Sequence, residues 1–202
     1  MSKIITAGSA STDPLEARIG GGALIGGIIN WPVTPDKAPL TLLLSLPTDW
    51  LNAHAGVQLP EGHVVSVFST YSTSDYFLDC ITYHGNAAEL SQIEKGYTRV
   101  VFHRPGSLEQ QGSAIPAHAI VLGGDGEQGQ HSKVGGYPAF LQQEDIDFAG
   151  ENFVLQIYGA VFPKPFDDVL YMSDAFGYLY VKNDLQPDGT DGQAGHFFAQ
   201  VT

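Results

Sequence analysis

The chain carries a single cysteine, Cys80, among 202 residues. One thiol makes no internal disulfide, so no oxidised framework holds the fold, and a reducing compartment is favoured. Basic residues are scarce too: nine Lys and Arg stand against 22 Asp and Glu, a formal net charge of −13. Such a balance repels phosphate backbones and anionic lipid, which argues against direct nucleic-acid or membrane-surface binding. No apolar run approaches the roughly 20 residues of a spanning helix. The first thirteen residues are small and polar behind Lys3, with no apolar signal region. A cytoplasmic protein is expected.

The usual patterns of catalysis are also missing. Seven histidines (His54, His63, His84, His103, His118, His131 and His196) include no two at a spacing of three to five, so no metal site is expected. Neither a GxSxG elbow nor an SxxK occurs. Cys80 reads as a small buried hydrophobe in an apparent strand. Asp145 and Asp147 could do acid–base work of the glycosidase type, but no aromatic sugar platform accompanies them in sequence. No catalytic residue and no cofactor is assigned.

What is present is an ample core composition, 43% hydrophobic and 11% aromatic, and a motif that occurs twice. Lys133-Val134-Gly135-Gly136-Tyr137-Pro138 has the same order as Arg18-Ile19-Gly20-Gly21-Gly22: a base, a β-branched aliphatic, then paired glycines. Leu42-Leu43-Leu44 answers Val154-Leu155-Gln156-Ile157, and the run from Gly62 to Phe68 answers that from Gly177 to Val181. The interval from the base to the later glycine is the same in both copies, which points to a duplicated unit.

Along the chain, residues 1–17 read as a loose N-terminal arm and 18–202 as one domain, with halves at about 18–115 and 133–202. Strands are predicted at 40–46, 62–70, 76–83, 97–102, 153–160 and 177–182, with a short apolar stretch at 119–122. A helical turn capped by Thr48 is predicted at 48–53, and a helix at 87–94 stopped by Gly96. Residues 106–112 read as a polar turn, and 123–130 and 188–195 as exposed glycine-rich loops. The five glycines of 20–27 precede no Lys-Ser or Lys-Thr, so a phosphate loop is not indicated. Short strands between Gly, Pro and Asp turns predict a β-rich α+β domain of mostly antiparallel strands with a few short helices.

Lys133, Gly135, Gly136, Tyr137, Pro138 and Gln142 together resemble the motif of the YwqG-like family, a domain of unknown function. Trp31-Pro32, Pro39-Leu40, Leu59-Pro60, Leu155-Gln156-Ile157, Ser173-Asp174, Gly177-Tyr178-Leu179-Tyr180 and the terminal run from Phe197 to Gln200 extend the resemblance over about 18–200. Ala23 stands where the family usually has proline, so the first half matches less well. The resemblance implies a β-rich fold of two similar halves and no established chemistry. Family members occur beside secreted toxins of interbacterial competition, where they look like immunity proteins. A type VI secretion DNase effector is the partner it implies first.

The acids are unevenly spread. Residues 1–120 hold ten acids and six bases, whereas 121–202 hold twelve and three. Asp125 and Glu127 fall in one loop, Glu144, Asp145 and Asp147 in a second, and Asp167 and Asp168 at a bend. A nuclease presents lysines and arginines to phosphates, so these carboxylates are the expected contacts of a cognate toxin bound 1:1. They serve equally well simply to keep the loops solvated. Two other readings stay open: an enzyme of unrecognised type with a small-molecule pocket near Tyr137 and the histidines, and an adaptor with no toxin partner.

Overall fold

The computed structural model describes residues 2–127, 129–142 and 145–201. Its sequence alternates short apolar runs with glycine, proline and aspartate turns, and each run that pairs with a neighbour becomes a strand. Twelve strands form: β1 (Lys3–Ala10), β2 (Arg18–Ile19), β3 (Ala23–Gly26), β4 (Thr41–Pro47), β5 (Val64–Ser69), β6 (Thr98–His103), β7 (Ser107–Glu109), β8 (His118–Asp125), β9 (Lys133–Val134), β10 (Glu151–Tyr158), β11 (Phe176–Lys182) and β12 (Gly195–Gln200). Among the described residues helix is confined to α1 (Thr48–His54), α2 (Leu78–Ile81), α3 (Ala87–Gln92), a π turn over Ile93–Tyr97 and a 3₁₀ turn over Gly159–Val161. The protein is a β-rich α+β domain of mostly antiparallel strands.

Ten strands make one sheet in the order β12-β11-β10-β9-β1-β8-β2-β4-β5-β6. Its two edges meet. Ala194 N–H donates to Val100 O at 2.7 Å, Phe102 and Asp191 exchange both backbone bonds at 2.9 Å, and Thr98 Oγ1 donates to Phe197 O. Closure satisfies edge groups that would otherwise face water and offer a template for aggregation. The interior is aliphatic and drawn from both halves: Leu44, Leu46, Val65 and Val67 on one side, Leu155, Ile157, Leu179 and Val181 on the other.

The strand order explains the doubled motif. β2 pairs with β4, Arg18 opposite Ser45, and β9 pairs with β10, Lys133 opposite Gln156. Gly20 and Gly21, like Gly135 and Gly136, then take positive φ (62° and 77°, 73° and 72°), a turn that L side chains resist. Gly20 N–H reaches Leu43 O and Gly135 N–H reaches Val154 O, both at 2.8 Å. The two bases are almost fully buried, Arg18 at 3% and Lys133 at 2% exposure. Burial holds both below their usual pKa; Asp13 and Glu16 oppose this at Arg18, and Glu127 at Lys133.

The supposed arm is a strand. β1 lies in the middle of the sheet, between β8 and β9, with Lys3 opposite Asp125 on one side and Val134 on the other. β8 in turn pairs with β2 of the first half. Each unit therefore begins with a strand that it lends to the other, and the exchange makes two halves one sheet. Sequence reading missed this because Ile4 and Ile5 are followed only by small residues, which carry little strand signal.

Other expectations change as well. Thr48 is the first residue of α1 and not its cap; its Oγ1 bonds to the His63 backbone across the chain. Residues 76–83 hold the helical turn α2, so Cys80 lies in a helix. Residues 107–109 form β7, paired with β3. β8 runs through Asp125, so 123–125 is strand rather than free loop. The helix at 87–94 does form as α3, capped by Asn86 Oδ1 accepting from Glu89 N–H at 2.9 Å, and Gly96 breaks the turn after it at φ 105°.

Each half carries its own outer layer. Over the first, Trp31, Leu40, Leu42, Phe68 and Val101 pack beneath β3 and β7, and Trp31 Nε1–H donates to Leu40 O at 2.8 Å. Over the second lies an irregular strap, 137–142 and 145–148, whose Phe140, Ile146 and Phe148 cover Tyr178, Tyr180 and Phe198.

Candidate functional site

The strap begins at the doubled motif, and that turn borders a cleft lined by carboxylates. β9 runs antiparallel to β10, so the chain leaving Gly135 and Gly136 heads towards Phe153 and Asn152. There Tyr137, Pro138, Phe140, Asp145, Asp147, Glu151, Asn152, Phe153 and Tyr180 line a cleft of about 710 Å³ whose other wall is 55–57 at the end of α1. Tyr137 is 87% exposed, the most exposed large hydrophobic among the described residues.

Buried groups fix the strap and thereby its carboxylates. Tyr178 Oη donates to Ala139 O at 3.0 Å and Tyr180 Oη to Ile146 O at 3.1 Å. Ala139 N–H donates to Gln156 Oε1 at 2.8 Å and Leu141 N–H to Gln200 Oε1 at 3.0 Å. Burial raises both phenol pKa values, helped at Tyr180 by Asp147 and Glu151, so the hydroxyls stay neutral donors. Phe148 stacks on the His196 imidazole with ring centroids 4.3 Å apart. His196 Nδ1 in turn meets both Glu151 oxygens at 2.9 and 3.0 Å.

Glu151 also lines a neighbouring cleft of about 610 Å³, with Lys182, Asp184, Leu185, Thr190 and Asp191. Lys182 Nζ is paired with Asp191 Oδ2 at 2.9 Å there. The two clefts meet at Glu151. Neither is lined by a serine, cysteine or histidine, and His196 reaches them only through Glu151.

The expected contact residues divide into two regions. Asp145 and Asp147 are exposed on the cleft rim. Asp125 and Glu127 are close to the same turn: Gly126 between them bonds to Ser2 O, and Ser2 packs on Gly136. Asp167 and Asp168 lie elsewhere. Gly159, which follows the end of β10, packs against Asp167 O, whereas Glu151 begins β10. Seven residues of strand at about 3.3 Å each separate those ends by about 23 Å. Glu144 lies outside the described residues. Glu151, Asp184 and Asp191 are acids of this region that the sequence did not single out as contacts.

The histidines do not converge. His54 meets Trp50, His63 stacks on Phe102, His84 bonds to Glu89, and His118 bonds to Gly8 O. His103 is fully buried. Its Nδ1 can only donate to Arg104 O, so Nε2 accepts from Ser66 Oγ at 2.9 Å. Ser66 is equally buried and lines neither cleft, so this serine–histidine pair is a satisfied internal bond. Among the described residues no three His, Cys, Asp or Glu side chains group as metal ligands. No helix among the described residues is long and apolar enough to cross a membrane.

Comparison of the sequence with protein-family models matches none of them, and comparison with curated proteins finds no match either.

Proposed function

We propose that this protein is a stoichiometric binding protein for a basic partner: a cytoplasmic immunity protein of the YwqG-like kind that neutralises a secreted toxin. A type VI secretion DNase effector is the partner that fits the charge best. The observation that carries the reading is Tyr137, exposed at the mouth of a cleft whose rim bears Asp145 and Asp147. An exposed aromatic ringed by carboxylates is the composition of an interface anchor: tyrosine supplies contact area at little entropic cost, and the acids answer a partner's lysines and arginines. A nuclease groove must hold phosphates with such cations, so the same acids compete for it. The strap presents them on a pinned backbone, which lowers the ordering cost of binding.

The experiment mixes the protein with the basic nuclease encoded beside it. A 1:1 complex is expected by light scattering, with an association rate that falls about tenfold or more as salt rises from low to physiological strength. Tyr137→Ala should mainly speed dissociation, and Asp145→Asn with Asp147→Asn should mainly slow association. Full protection of the host cell by the triple variant would refute the reading.

A further inference from the structure

At the far end of β10, away from both clefts, a separate cavity of about 410 Å³ is lined by Ser72, Asp75, Tyr76, Phe77, Asp168 and Tyr171. Its chemistry differs from that of the cleft. Tyr76 and Tyr171 meet at 79° with centroids 5.3 Å apart, and Phe77 meets Tyr171 at 80° and the same distance. Tyr76 is 60% exposed, so its ring is not committed to the core. Tyr171 has φ 77°, a left-handed backbone that costs a bulky L residue energy and so needs a local reason. Its N–H donates to the Asp168 backbone O at 2.7 Å, and both residues line the cavity.

The carboxylates are only partly used. Asp168 Oδ1 accepts from Tyr71 Oη at 2.9 Å, and Asp75 Oδ2 accepts from Ser72 Oγ at 2.8 Å and Ser74 Oγ at 3.0 Å. Asp168 Oδ2 and Asp75 Oδ1 have no hydrogen bond among the described residues. Tyr76 Oη donates to Asp79 Oδ1 at 2.6 Å, which pushes its pKa up to about 12 and enriches the ring in electron density. Electron-rich rings at right angles beside uncommitted carboxylate oxygens bind a cation, the rings through their faces and the oxygens as acceptors.

We infer that this cavity is a binding site for a guanidinium or alkylammonium group, held against the Tyr76–Tyr171 ring pair by the Asp75 and Asp168 carboxylates. The inference stands on this cavity and not on the acidic cleft, so failure of toxin binding leaves it intact. The source of the cation is either a free small amine or an arginine side chain of a protein.

The test titrates methylguanidinium into the protein and follows backbone and aromatic resonances. Saturable shifts confined to 72–77 and 168–172 are expected, with a dissociation constant of about 10 mM. Neutral N-methylurea should bind at least about tenfold more weakly, because it lacks the charge that both carboxylate and ring recognise. Asp168→Asn and Tyr76→Leu should each weaken methylguanidinium about fivefold, while Asp145→Asn leaves it unchanged. Both site residues are exposed, and a preserved spectrum elsewhere shows that the fold survives. An acetylated Gly-Arg-Gly amide that binds as well as methylguanidinium identifies a side-chain source; one that does not bind identifies a free amine. Absence of saturable shifts, equal binding of N-methylurea, or unchanged affinity in both variants would overturn the inference.

Discussion

Removing the hydroxyls of Tyr178 and Tyr180 tests how the strap is held. Each phenol is buried, and each donates one bond to a strap carbonyl, to Ala139 O and Ile146 O respectively. Phenylalanine keeps the ring and its packing on Phe140, Phe148 and Phe198, so only the hydrogen bond is lost. A buried neutral bond contributes about 1 kcal/mol net, which is about a fivefold change in an opening equilibrium. Tyr178→Phe or Tyr180→Phe alone should therefore speed exchange of the Ala139 and Leu141 amide protons about fivefold, and the double variant about thirtyfold. Those amides report on the strap because their acceptors, Gln156 and Gln200, belong to β10 and β12. Tyr158→Phe is the control, since that ring packs on the same outer layer but its hydroxyl bonds to no strap group among the described residues. Hydrogen exchange read by NMR decides the matter. Wild-type rates at both amides in the double variant would show that these hydroxyls do not hold the strap, and the account of how Asp145 and Asp147 are positioned would fall with them.

Two further perturbations address the barrel itself. Gly20→Ala and Gly62→Ala share a left-handed φ, 62° and 70°, but a Cβ at Gly20 would lie 2.7 and 2.8 Å from the Ile115 and Pro116 oxygens, while one at Gly62 meets nothing within 4 Å. Backbone strain alone should cost about 1 kcal/mol at Gly62 after the unfolded-state gain, and overpacking should bring Gly20 to about 3 kcal/mol. Urea midpoints within about 0.5 kcal/mol of each other would refute the close approach at the doubled motif. His103 has its pKa lowered from 6.5 chiefly by burial, so the unfolded chain takes up a proton that the folded one refuses. Its contribution is fully present above pH 6.5 and is lost as pH falls towards the folded value, with a slope of at most about 1.4 kcal/mol per pH unit. Thermal melts from pH 7.5 downward should show that slope reduced in His103→Gln; an unchanged acid limb would remove His103 as its source.

Much of the barrel was legible because its strands are buried on both faces and read as continuous apolar runs. Leu42 to Leu46, Val64 to Phe68 and Gly177 to Val181 are of that kind, and all three lie in observed strands. Of the strands that were not predicted, β1, β7 and the ends of β8 are rich in Ala, Ser, Gly or Glu and owe their strand state to a partner, β2 and β9 are only two residues long, and β3 and β12 adjoin glycine-rich turns. Residues 76–83 differ the other way: the aromatic and aliphatic content of Tyr76, Phe77 and Ile81 favours strand, but the segment coils as α2, packs Ile81 into the core and meets β12 at a Thr82–Ala199 bridge.

From composition and spacing alone came the excess of carboxylate, the β-rich class and the doubled base–aliphatic–glycine turn, because these depend only on residue type and interval. Tertiary structure alone decided that the halves exchange their leading strands, that Asp125, Glu127, Asp145 and Asp147 gather around one turn, and that Asp167 and Asp168 lie at the opposite end of β10. The reason is physical: charge is a property of the chain, but a surface is made by register and closure. Both are set by pairings such as Lys3 with Val134 and Phe102 with Asp191, between residues far apart in the sequence.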